Sequence, residues 1–154
     1  MMMTRSFIGL GAALLGALLV PAVHAATYPK DMEVTVEVWS DDQQELDLVY
    51  ASWITRAADL SRYQIPASSS GAEFGITLGN PNKDSGTFEY ASAHGKICKF
   101  TFAHVRNFSW IGLRPSSEKS ATAQSIGTAE AQCDAAVIKG ANSLESYSVR
   151  FRMK

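Results

Sequence analysis

The sequence predicts an α+β domain: one antiparallel β-sheet of about six or seven strands with one amphipathic helix packed on its apolar face. Two observations carry this. MEVTVEVW at residues 32–39 alternates apolar and polar side chains, and SYSVRFRMK at 146–154 does the same, so each reads as a half-buried strand. Between residues 41 and 63 the period changes to 3.6, with Leu46, Val49, Tyr50, Trp53, Ile54, Ala57 and Leu60 on one stripe. That is the pattern of a helix, capped by SDDQ at 40–43 and broken by IPASSSG at 65–71. The same stretch carries a second pattern, because Leu46, Leu48 and Tyr50 also alternate. Extended chain over 45–54 would make the domain an all-β sandwich.

The other elements follow in order. After Gly71 come AEFGITLG, TFEYAS, ICKFTFAHV and FSWIGL, short β-rich runs separated by the turns NPNKDSG and AHGK, and together they read as an antiparallel meander. RPSSEKSATAQSIGTA at 114–129 has almost no large apolar residue and reads as an exposed loop. AEAQCDAAVIK at 129–139 returns to period 2, with Ala131, Cys133, Ala135 and Val137 on one face.

The first 25 residues read as a secretory signal peptide: Arg5, an apolar run over 7–20, then PAVHAA with Val23 and Ala25 at the small-residue positions of a cleavage site. The run of 14 residues falls short of the roughly 20 that span a bilayer, and the segment holds no cysteine for lipidation. The expected product is therefore residues 26–154, a single exported domain, periplasmic or extracellular, with no stable membrane anchor after cleavage.

Cys98 and Cys133 both lie in that product. An oxidising compartment favours a bridge between them, and their 34 intervening residues match no compact zinc-ligand spacing. Parity supports the bridge: in a strand, Cys98, Phe100, Phe102 and His104 share one face, and Cys133 lies on the apolar side of its own strand.

Charge is unevenly distributed. Residues 26–90 carry 11 acidic and 4 basic side chains, whereas 91–154 carry 4 and 9. In one small domain the two halves interleave, so the asymmetry reads as internal pairing rather than as a nucleic-acid surface. The two end strands offer the means. Glu33 and Glu37 lie opposite the valine face of the first strand, and Arg150 and Arg152 lie opposite the Tyr147, Val149, Phe151 and Met153 face of the last. Side by side, the strands would merge their apolar faces and set opposite charges across from each other.

No motif names a reaction or a cofactor. His94 and His104, the two histidines of the product, stand ten residues apart in largely extended chain, about 33 Å, too far to share a metal. His94 is expected in the AHGK turn and His104 at a solvated strand end. NPNKDSG places Ser85 and Ala91 where a calcium loop needs glycine and glutamate, so it reads as a hairpin turn. There is no G-x-S-x-G and no phosphate-binding glycine loop. Of the three tryptophans, Trp53 and Trp110 fall in apolar patterns and Trp39 lies opposite the valines, an exposed-anchor position.

The functional expectation is an exported binding protein acting through surface contacts with an extracytoplasmic protein partner, with Trp39, His94 and His104 as the surface candidates. A carbohydrate-binding module is the first alternative and requires Trp39 to share a flat platform with another aromatic. A small hydrolase is the second and requires His94 or His104 within hydrogen-bond reach of Ser, Asp or Glu.

Overall fold

Eight strands form two four-stranded sheets in a computed structural model that describes residues 31–41, 44–67, 69–108 and 115–154. The expected signal peptide and Trp110 lie outside the described residues. In chain order the strands are β1 (Met32–Ser40), β2 (Leu46–Ala51), β3 (Gly71–Leu78), β4 (Lys83–Ser92), β5 (Ile97–Phe108), β6 (Pro115–Ser125), β7 (Cys133–Lys139) and β8 (Tyr147–Met153). The first sheet runs β3-β1-β8-β7 and the second β2-β4-β5-β6. All pairings are antiparallel except β1 with β8.

The alternation of the end strands makes the first sheet. Val34, Val36 and Val38 are buried on one face of β1, and Tyr147, Val149, Phe151 and Met153 on the same face of β8 beside it. That face meets the aromatic face of the second sheet, where Phe151 contacts Phe88 at 5.1 Å and Phe100 at 4.9 Å between ring centroids. Rings at such spacing add to the stabilisation from the area they remove from water. The Cys98–Cys133 disulfide ties β5 of one sheet to β7 of the other, with Cα atoms 5.8 Å apart.

The chain departs from expectation in four places. Eight strands in two sheets, with one parallel pairing, replace six or seven in a single antiparallel sheet, and the helix expected over 41–60 is strand β2 followed by a 3-10 helix, Ala57–Tyr63. Period 2 wins there because β4 offers a partner: pairing with it satisfies the backbone of 46–51 and buries Leu46 and Leu48, while Val49 and Tyr50 of the helical stripe face out. The 114–129 segment holds a strand, β6, paired to β5 over eleven positions from Phe108↔Pro115 to Cys98↔Ser125. Its inward residues are small or polar, Ala121 and Ala123 packing against the core and Lys119 facing His104, so it lacks the large apolar signal that marks a strand.

The turn over 80–86 does not close a hairpin, because β3 and β4 belong to different sheets. Asn80 Oδ1 accepts from the backbone N–H of Asn82 and Lys83 and shapes a crossing between sheets. Among the described residues the meander is therefore β4-β5-β6, and the expected run FSWIGL lies outside them beyond Phe108. The AHGK turn does close a hairpin, β4 to β5, with His94 at φ 69° and Gly95 at φ 78°.

Trp53 packs partly buried against the core in the segment after β2, with Phe74, Phe88 and Phe102 within 6.4 Å. Room for Phe102 comes from Gly86, its cross-strand partner; a Cβ on Gly86 would stand 2.1 Å from Phe102 Cζ.

Candidate functional site

Because the second sheet covers only the valine side of β1, the opposite side faces out. Parallel pairing sets Glu37 across from Arg150 and Trp39 across from Arg152, and antiparallel pairing with β3 sets Glu37 across from Glu73 and Trp39 across from Gly71. Gly71 offers no side chain to cover the indole, which remains 36% exposed.

The guanidinium carbons of Arg150 and Arg152 stand 4.9 Å and 5.7 Å from the centre of the Trp39 ring, within cation–π range. Arg150 is further held by its Nε–H, which donates to Glu37 Oε2 at 2.8 Å. Arg152 takes part in none of the ion pairs among the described residues. Two shallow depressions flank this cluster, one reaching Ala72 and Glu73 of β3 and the other Ile138 and Lys139 of β7.

The remaining candidates lie elsewhere. Cys98 and Cys133 are joined and hold the sheets. His94 is exposed in the β4–β5 turn. His104 is not at a solvated strand end: it is 1% exposed, on the inward face of β5 that also carries Phe100 and Phe102. The signal was its parity with Cys98, which continues inward through Arg106. Trp39, His94 and His104 are therefore not brought together; they occupy an outer face, a turn and the interior.

His104 belongs to a buried polar cluster that sequence reasoning missed. Its Nε2 meets the Asn80 carbonyl at 2.8 Å, its ring packs 6.2 Å from that of Tyr147, and Asp84 and Lys119 are its cross-strand neighbours. Lys119 Nζ donates to the carbonyls of Gly140, at 2.7 Å, and Ser143, and Arg106 Nη2 donates to that of Leu144 at 2.6 Å. The two cations thus pin the segment that leads into β8. Burial pushes the His104 pKa down, opposed by its bond to the Asn80 carbonyl, and burial likewise lowers Lys119 and raises the Tyr147 phenol.

His104 Nδ1 is buried with no hydrogen-bond partner. With Nε2 on a backbone carbonyl, His104 has no Ser, Asp or Glu oxygen within hydrogen-bond reach among the described residues, which therefore do not form a hydroxyl–imidazole–carboxylate chain around it. The platform that a carbohydrate module would need at Trp39 is not formed either: its neighbours across the sheet are Gly71 and Arg152, and arginines occupy its ring.

Among the described residues no cluster of three or more His, Cys, Asp or Glu side chains is arranged to hold a metal, and no helix is long and apolar enough to cross a membrane. Comparison with protein-family models, with curated proteins and with solved structures finds no match.

Proposed function

We propose that this chain is an exported binding protein, periplasmic or extracellular, that engages a protein partner through the outer face of the first sheet with Trp39 as its anchor. The observation that carries this reading is the partly exposed indole within cation–π range of two guanidiniums, on a strand face that also carries Glu37. Tryptophan and arginine are the residues most often dominant in binding energy, and a ring pre-positioned by its neighbours loses little conformational freedom when a partner covers it. Arg152, outside the ion pairs among the described residues, favours a partner that presents a carboxylate beside an apolar side chain. The disulfide supports the assignment to an oxidising compartment.

Affinity purification of the tagged, exported chain under native conditions tests the proposal. A protein retained by the wild type should be lost from both Trp39→Ala and Arg152→Glu, each weakening its binding by about thirtyfold or more, the loss of a dominant contact. Equal retention by the wild type and both variants, or no protein retained at all, would count against it.

A further inference from the structure

The outward face of the second sheet has a different chemistry. Register aligns its side chains in rungs that cross the strands: Tyr50, Glu89, Lys99 and Gln124 in one, Thr87, Thr101 and Thr122 in the next, Ser85, Ala103 and Ser120 beyond. The first rung crosses four strands and so spans roughly 14 Å, three interstrand spacings of about 4.8 Å.

Tyr50 stands at the edge of this grid because of a local irregularity. The β2–β4 register shifts between Leu48 and Tyr50, and the bulge turns two successive residues outward, leaving Val49 45% and Tyr50 47% exposed. Bulges re-aim side chains in this way, often at functional sites. Tyr50 borders a shallow depression whose other walls are Ser52, Ser85, Thr87, Glu89 and Lys99.

The hydroxyls there are held in place. Ser52 N–H donates to the Thr87 carbonyl at 2.8 Å, and Thr87 N–H donates back to Ser52 Oγ at 3.0 Å, an arrangement in which the Ser52 hydroxyl accepts and keeps its own proton for donation. Thr87 Oγ1 and Thr101 Oγ1 lie 3.2 Å apart, one donating to the other and leaving the second proton for another acceptor. Glu89 and Lys99 oppose each other without joining the ion pairs among the described residues, so their head groups retain hydrogen-bonding capacity while their charges cancel.

We propose that this depression is a second binding site, for a neutral saccharide chain whose ring stacks on Tyr50 and whose hydroxyls bond to Ser52, Thr87, Glu89 and Lys99. A sugar ring pairs a C–H face with a rim of hydroxyls, and this surface presents the complement: one exposed aromatic ring beside fixed donors and acceptors. Cancelling charges favour a neutral chain over an acidic one, and a lining that is polar apart from Tyr50 disfavours a protein partner here. The site is on the sheet opposite Trp39, so it stands or falls independently of the protein-binding reading.

The test is titration of the isotope-labelled exported chain with cellohexaose, xylohexaose, maltohexaose and chitohexaose, followed by amide chemical shifts. At least one should bind, with shifts concentrated at residues 50–52, 85–89 and 99–101. Tyr50→Ala should weaken it about tenfold or more, while Tyr50→Phe, which keeps the ring, should stay within about threefold. Tyr50 is exposed, so both variants should keep the wild-type unfolding midpoint. Absence of binding by all four sugars at about 10 mM, shifts mapping to the Trp39 face, or undiminished binding by Tyr50→Ala would each overturn the proposal.

Discussion

Arg150 Nε donates to Glu37 Oε2 at 2.8 Å, joining residues 113 positions apart on the only parallel pair of strands in the described fold. The expected pairing of the chain's acidic and basic halves is visible here, and again where Lys154 Nζ meets Asp41 Oδ2 at 3.1 Å. A charge-reversal cycle at Glu37 and Arg150 should show a coupling of about 0.5–1 kcal/mol in urea unfolding, small because Arg150 is partly exposed. Additive effects would show that the apolar faces alone set this register.

Thiol alkylation of the native protein without reductant should label neither Cys98 nor Cys133. Replacing Cys133 with Ala should lower stability by about 3–4 kcal/mol, the chain-entropy value for a loop of this size. Because the bridge links the two sheets and touches neither outer face, binding through those faces should persist at low temperature.

Trp53→Ala should cost about 3 kcal/mol, the lower end of the range for large aromatics, because the ring is only partly buried. Gly86→Ala should cost about 1–3 kcal/mol by forcing the Phe102 ring aside, so here a single added methyl destabilises the core. Thermal or denaturant unfolding measures both, and a neutral Gly86→Ala would mean that Phe102 has another rotamer available.

Acid should weaken the fold through His104. Its pKa is lowered by burial, so below the ordinary value of 6.5 the unfolded chain takes up a proton that the folded chain refuses. Stability from this residue is complete above pH 6.5 and falls as the pH drops through it, by at most about 1.4 kcal/mol per pH unit. A protonated ring would place a third cation beside Lys119 and Arg106, with Asp84 across the strand pair as the facing carboxylate and the Tyr147 phenol uncharged. Unfolding midpoints measured from about pH 7 to pH 5 should slope downward in the wild type and flatten in His104→Gln; equal slopes would assign the acid sensitivity elsewhere.

Period-2 alternation let the sequence alone determine β1, β8 and the inward face of β5, and with them the disulfide, because alternation is a local property of each strand. It also set Glu37 and Arg150 on the sides from which they meet. Only the tertiary structure decided between helix and strand at 46–51, where both periods were present and pairing with β4 chose one. It likewise made a strand of 115–125, whose small side chains suit the space beside β5 yet carry no strong signal of burial. The exposure of Trp39 and the burial of His104 were decided in the same way. Parity says which side a residue takes, but whether that side is wet depends on what packs there: the second sheet covers the valines and leaves Trp39 outside, while the Asn80 turn and the segment bound by Lys119 and Arg106 close over His104.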